Sequence, residues 1–314
     1  MVSRVTNLSS SRLINSLILK SQDQIKEQQL KLTTQQKSQD YLGIGDDSSR
    51  LLTVESSVRR IDQFVKDNTF VDMRIETMLN SMDALGDIVR DVRSLVRDVL
   101  DDGNLPEGMD KNEIAQLNMD TVASFLNVKM NGRFLFAGTK TDTKPVIVSP
   151  TDLASAPTFN ADNTTTTEPS FYYKGDDNQV KARIDEGVTL EYGVKANDEG
   201  FEKLIRAIRL VKSTNLTDAN VIAKFQHALD LLNQAEDKIA ATELKTGIRF
   251  AQLDTTNKNL NDTKSILEGV VDEIERADTF EAVAVLNQVQ SQLEASYTTA
   301  VRVSSLSLTK FLQR

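Results

Sequence analysis

Residues 48–102 read SSRLLTVESSVRRIDQFVKDNTFVDMRIETMLNSMDALGDIVRDVRSLVRDVLDD, with one glycine and no proline. Val54, Ile61, Ile75, Met82, Val89 and Val96 recur at seven-residue spacing, interrupted by Asn68; Val58, Val65, Leu79 and Leu100 form an alternating seam, interrupted by Asp72, Gly86 and Arg93. A heptad sustained this far predicts one long helix packed lengthwise on a neighbour. Met78, Leu85, Val92 and Val99 cover another face, so the second half of the helix is expected to meet more than one neighbour. Asp46-Asp47-Ser48 supplies acids and a hydroxyl where a helix begins. Asn68 and Asp72 either fix register or mark where a partner helix diverges, and the sequence leaves both readings open.

Outward from this helix, Gly103, Pro106 and Gly108 predict a loop, followed by a helix from about Lys111 to Met130. The acids of that loop lack the spacing of a calcium loop and read as solvated turn residues. Helical patterning returns at Phe201, Leu204, Ile205 and Ile208, and again over Ile222 to Ile239. After Gly247 a second heptad appears: Leu253, Leu260, Leu267 and Ile274 on one seam, Thr256, Thr263, Val270 and Ala277 on the other. It is the natural partner of the helix beginning near Ser48, and the apolar residues of both main seams are the expected bundle core.

Asp278 with Glu281 approximates a capping box and restarts a helix, whose seams are Leu286, Leu293 and Ala300 with Ala282, Val289 and Val303. The N-terminal segment carries Ile18, Ile25 and Leu32 at the same spacing, with Ile14 and Leu17 beside them. Ser21, Gln28, Ser296 and Lys310 interrupt these terminal seams. Helices this polar bury little apolar surface in an isolated subunit, so they are expected to be disordered or completed by other copies. Ile14, Ile18, Ile25, Leu32, Leu286, Val289, Leu293, Ala300 and Val303 are the expected assembly interface.

Between the helical regions the pattern changes. Val146 to Val148, Phe171 to Tyr173, Val180 to Ile184 and Val188 to Tyr192 are short β-type runs, with Gly175-Asp176 and Glu186-Gly187 as turns and a loop around Asn163 to Pro169. About fifty-five residues make a marginal core alone. The expected fold is mainly α: an elongated helical bundle or coiled coil formed by both terminal regions, with a small inserted β domain. The expected domains are 1–45 with 278–314 for assembly, 46–144 with 201–277 for the bundle, and 145–200 for an outward-facing β unit.

Composition narrows the function. The absence of cysteine excludes disulfides, thiolate metal sites and cysteine nucleophiles. His227, the single histidine, removes multi-histidine metal sites and reads as a half-buried helix-surface residue without a role. A net charge of -9 opposes nucleic acid and anionic membrane surfaces. Leu13 to Leu19 is too short and polar for a spanning helix or a cleaved signal. No catalytic set, cofactor motif or metal site is expected, and the protein is read as a non-enzyme.

Three stretches carry a family resemblance. Arg4-Val5-Thr6-Asn7 with Leu42 to Asp47, and Gly247-Ile248-Arg249 with Asp278 to Leu312, resemble the shared terminal regions of bacterial flagellar axial proteins. NGRFLFAGTKTDTKP, residues 131–145, resembles the exit from the helical domain in the flagellin-like hook-associated protein of the hook–filament junction, the FlgL family; its core is Gly132, Arg133, Phe134, Leu135, Phe136, Ala137 and Gly138. Tyr173 to Asp176 with Val180 to Gly187 is similar to the same family's small β domain. The chain departs from the pattern before Asp46-Asp47, where Ser-Gly gives way to Gln-rich sequence and Tyr41-Leu42, and at its final residues. The resemblance implies a structural adaptor, exported through the flagellar type III channel with an export chaperone. It would assemble as a ring with copies of itself between the hook-side junction protein and flagellin. Flagellin itself, and a secreted coiled-coil effector or translocator unrelated to motility, are the alternatives. Physically, Phe134 to Phe136 needs no chemistry: it suits an apolar strand or turn laid against the bundle, with glycines at its ends.

Overall fold

The computed structural model describes residues 2–102, 110–147, 157–160, 164–166 and 172–312, and the side chains of 2–11, 102 and 303–312 lie outside that description. The expected loop at Gly103, Pro106 and Gly108, and the expected strand or loop positions Val148, Asn163, Thr167, Pro169 and Phe171, are also outside the described residues. The fold is mainly helical: α1 (Val2–Thr34), α2 (Ser48–Asp102), α3 (Lys111–Leu126), α4 (Glu199–Ser213), α5 (Val221–Glu275) and α6 (Thr279–Leu312). Two small antiparallel hairpins lie in sequence between α3 and α4, β1 (Lys129–Met130) with β2 (Arg133–Phe134) and β3 (Lys181–Asp185) with β4 (Val188–Glu191). Among the described residues, no helix is long and apolar enough to cross a membrane.

The chain divides into two compact units, Met1–Arg60 with Thr263–Arg314 and Ile61–Asp262. This differs from the three-part division read from the sequence, and the difference has a packing cause. Val146, Tyr172, Ile184, Leu190, Tyr192, Val194 and Ala196, all from the expected β unit, are buried in one continuous core with residues of α2, α3, α4 and α5. A two-stranded hairpin has no interior of its own and must bury its apolar face on something larger.

Within the 61–262 unit, Ile61, Ile75, Met82, Val89 and Val96 are buried, and Met78, Leu85, Val92 and Val99 are buried with them. From Ile75 onward these two sets alternate by three and four residues, the spacing of paired heptad positions. They are therefore the two seams. Val65, Leu79 and Leu100, on the alternating seam expected from the sequence, are only half-buried. The physical reason is visible in the residues: that register would bury Asp72 and Arg93, whereas the observed seams carry only apolar side chains from Ile75 to Val99. On α5, Leu253 and Leu260 are buried.

Asn68 is fully buried on the seam and joins three elements. Its Nδ2 donates to the carbonyl of Ile184 on β3 at 2.9 Å and to Oδ1 of Asn257 on α5 at 2.7 Å. Of the two readings of Asn68, this is the register-fixing one. Asp72 is half-buried, and desolvation, followed by the nearby Glu76 and Asp254 charges, pushes its carboxyl above the ordinary value.

Asp110 caps α3, its carboxylate accepting from the Asn112 N–H at 2.8 Å. The ammonium of Lys111 donates to the carbonyls of Val211 and Lys212 at 2.9 and 2.8 Å. A cation thus sits at the negative end of α4, although burial pulls its pKa below the usual lysine value. Residues 134–138 pack inward: Phe134, Leu135, Phe136, Ala137 and Gly138 are buried, while Gly132 in the turn and Arg133 at the start of β2 are exposed. Phe136 meets Phe201 of α4 edge to face, with ring centroids 6.0 Å apart. The Ala196 N–H donates to the Phe136 carbonyl at 2.9 Å, and the Asp176 N–H to that of Ala137 at 3.1 Å. Gly138 has φ 67°, and an added Cβ would fall 2.5 Å from the Asp176 carbonyl oxygen.

Candidate assembly surface

The unit formed by Met1–Arg60 and Thr263–Arg314 brings the two chain ends together. Its construction starts at a crossing of backbone. α1 ends at Gln35, a non-glycine residue in the left-handed region at φ 59°, which turns the chain out of the helix. There the Ala277 N–H donates to the Gln35 carbonyl at 2.9 Å and the Lys37 N–H to that of Glu275 at 2.7 Å, with Gln36 and Arg276 bridged antiparallel. Asp278 then starts α6, its Oδ1 accepting from the N–H groups of Phe280 and Glu281 at 2.9 and 3.1 Å. Farther along, Gln22 Nε2 donates to the Tyr297 hydroxyl at 3.0 Å, so α1 and α6 run antiparallel.

The seam between these helices is thin. Ser21, Ala282 and Val289 are buried, while Ile14, Ile18, Ile25, Leu32, Leu286, Leu293 and Ala300 are half-buried. The side chain of Val303 is outside the described residues. The alternation Ala282, Leu286, Val289, Leu293, Ser296, Ala300 is a heptad run, matched on α1 by Ile14, Ile18, Ser21, Ile25, Gln28, Leu32. Small and polar residues inside these runs keep the seam shallow. The terminal helices are paired with each other in one chain, as a coiled coil formed by both terminal regions requires.

What remains exposed is a different set, of which the reading of the sequence had named only Leu17 beside the N-terminal seam. Leu13, Leu17, Leu19 and Leu30 of α1 are exposed, as are Phe280, Val283, Tyr297 and Val301 of α6, with Phe280 at 89% and Val301 at 68%. On α6, Phe280, Val283, Asn287, Gln290, Glu294, Tyr297 and Val301 follow their own three-and-four spacing, apolar or aromatic at both ends and polar in the middle. The signal was available as a second heptad offset from the first.

The turn before α2 belongs to the same unit. Tyr41–Asp47 forms a 3-10 turn capped by Asp40, whose carboxylate accepts from the Gly43 N–H at 3.1 Å. Gly45, at φ 71° and ψ −129°, occupies backbone space that only glycine enters readily. Ser48 donates its hydroxyl back to the carbonyls of Tyr41, at 2.6 Å, and Gly45. Asp40 caps this turn, and α2 itself begins at Ser48, directly after Asp46-Asp47. The Tyr41 hydroxyl donates to Glu55 at 2.9 Å, which raises its pKa, and Arg59 pairs with Glu55 at 3.3 Å. Leu42 projects from this turn at 91% exposure. Of the bundle-core positions in this unit, Ile274 is buried, whereas Val54 and Leu267 are half-buried. The exposed side chains of α6 are apolar or aromatic at both ends of the series, with Asn287, Gln290 and Glu294 between them.

Residues 229–312 match the bacterial flagellin C-terminal helical region. No curated protein matches the chain by sequence. Among solved structures, the fold is similar to a provisionally assigned flagellar hook-associated protein from Vibrio parahaemolyticus, at 16% identity and a TM-score of 0.56 over 73% of this chain and 97% of that one. It is also similar to FlgL of Xanthomonas campestris, at 14% identity and a TM-score of 0.53 over 70% of this chain and 99% of that one. The flagellar junction protein FlgL of Legionella pneumophila is similar at 10% identity and a TM-score of 0.50, over 71% of this chain and 98% of that one. The chain has the fold of the flagellar hook-associated proteins and, at its C-terminal end, a flagellin helical region.

Proposed function

We propose that this chain, with its hook-associated fold and flagellin C-terminal region, is a non-enzymatic structural adaptor of the bacterial flagellum. It is secreted through the flagellar export channel with the help of an export chaperone. It assembles with copies of itself as a ring at the hook–filament junction, between the hook-side junction protein and flagellin. The observation that carries this reading is the paired terminal unit: its internal seam is shallow and it leaves a second apolar series on the outside. An isolated subunit gains nothing from Phe280, Val283, Tyr297 and Val301 in water, whereas a neighbour laid on them removes apolar surface at about 25 cal/mol per Å². The division of labour follows, with the terminal unit serving assembly and the 61–262 unit forming the wall around a core of its own.

The flagellin reading draws on the C-terminal region match and predicts a different product. Purified protein should stay a small oligomer under conditions that polymerise flagellin, and the double variant Leu17→Asp with Val301→Asp should lose self-association while keeping its melting temperature. A long homopolymer from the purified chain would identify a filament subunit instead. Unchanged self-association of the double variant would remove the exposed face from the mechanism.

A further inference from the structure

Leu42 is the most exposed of the large apolar side chains among the described residues, and it stands on a turn that gives it no retreat. The carboxylate and the carbonyl of Asp40 both accept from the Gly43 N–H, at 3.1 and 3.3 Å. Ser38 Oγ donates to the Asp40 carboxylate at 3.0 Å and accepts from the Asp40 N–H at 3.2 Å, and it lies so near Gly43 that an added Cβ there would collide with it. Beyond the tip, the Tyr41 carbonyl accepts from the Ser48 hydroxyl at 2.6 Å, and the Tyr41 hydroxyl is tied to Glu55. Residues 38–43 are therefore one stiff piece carrying an apolar knob.

The same piece walls a cleft. Residues 36–40 face Glu27, Leu30 and Lys31, near the end of α1, across a space of about 220 Å³. An apolar protein cavity of roughly 150 Å³ already takes a benzene ring, so a leucine side chain fits. Polar groups around the cleft are engaged with one another. Lys31 pairs with Glu27 at 2.8 Å, Gln36 Nε2 donates to Glu275 at 3.4 Å, and Gln39 Nε2 donates to Gln36 Oε1 at 3.1 Å and Thr34 Oγ1 at 3.3 Å. An apolar guest meets Leu30, which is exposed, and the methylene stems of Lys31, Gln36 and Gln39 without stripping a hydrogen bond. Leu42 of the same chain is not that guest: one residue separates it from the Asp40 wall, and the turn holds it out in solvent.

We propose that Leu42 of one copy enters the cleft between α1 and residues 36–40 of the next. The charges suit this pairing, since the exposed Asp46 and Asp47 follow the knob while Lys37 stands exposed on the cleft wall. Knob and cleft share one stiff element, so each copy gives one contact and receives one. A contact of this kind is head-to-tail, and it closes into a ring or runs on as a helix according to the rotation between copies. The inference rests on the self-assembly proposed above and adds a contact separate from the series Phe280 to Val301.

Because the chain contains no cysteine, single cysteine substitutions report contacts cleanly. Full-length Leu42→Cys protein is mixed with Leu30→Cys protein, and separately with Gln39→Cys protein as a second report on the cleft. A short bismaleimide is added at concentrations where sedimentation shows self-association. Mixed cross-linked dimers should exceed like-with-like ones in both experiments. Leu42→Asp should weaken self-association about tenfold or more, the worth of one buried leucine, at an unchanged melting temperature, while Leu42→Met should leave it intact. Like-with-like dimers in place of mixed ones, or undiminished association of Leu42→Asp, would overturn this contact and leave the assembly reading standing. So would a cross-link within a monomeric chain carrying both Leu42→Cys and Leu30→Cys, which would put Leu42 in its own cleft. A chain that stays monomeric at every attainable concentration would overturn both.

Discussion

Asn68 illustrates how a single amide holds a heptad in place. Its Nδ2 serves both the Ile184 carbonyl and Asn257 Oδ1 from a fully buried position. Asn68→Ala is expected to cost about 1–3 kcal/mol, chiefly by leaving the buried Ile184 carbonyl without a donor. Denaturant unfolding of the two proteins measures it, and an unchanged midpoint would mean the amide carries no such load. Gly138 is the corresponding backbone case. Gly138→Ala combines a positive φ, which costs a side-chain-bearing residue about 1–2 kcal/mol, with a Cβ driven against the Asp176 carbonyl. It should lower the melting temperature, whereas Gly132→Ala, whose added Cβ meets nothing within 4 Å, should pay only the φ penalty.

At the scale of elements, the long helices were readable because their seams are almost purely apolar over many turns. Register was harder. Val65, Leu79 and Leu100 offered a plausible second seam, and only the exclusion of Asp72 and Arg93 from the interior selects Met78, Leu85, Val92 and Val99 instead. The β3–β4 hairpin was also legible, from its alternation and the Glu186-Gly187 turn, whereas Val146 and Tyr173 meet only in an isolated bridge. Their dependence on the helices was not, because nothing in a run such as Val188 to Tyr192 says which surface its apolar face will meet. Since Val146, Tyr172, Ile184, Leu190 and Tyr192 share one core with the helices, replacing residues 145–200 by a short flexible linker is expected to weaken or abolish the cooperative melt. A melt kept at the original temperature would show that the helices are self-sufficient.

For the whole molecule, the division into units sets the main expectation. The continuous core spans positions from Val71 to Leu253, so it lies within Ile61–Asp262. A fragment of residues 61–262 should fold cooperatively as a soluble monomer, as circular dichroism and sedimentation will report, and a fragment without a thermal transition would contradict this. The terminal helices were expected to form a coiled coil together but to bury too little to order in one subunit, and they are found paired within a single chain. The sequence showed their shallow seams but carried no signal for which partner, internal or external, would fill them first. What the sequence overlooked, the exposed series from Phe280 to Val301, is the part of the surface on which the assembly reading now rests. The central claim is that the chain connects hook to filament, and electron microscopy of flagella from a strain lacking it tests that claim most directly. The account predicts hooks without filaments and flagellin shed into the medium; filaments of normal length on those hooks would contradict it.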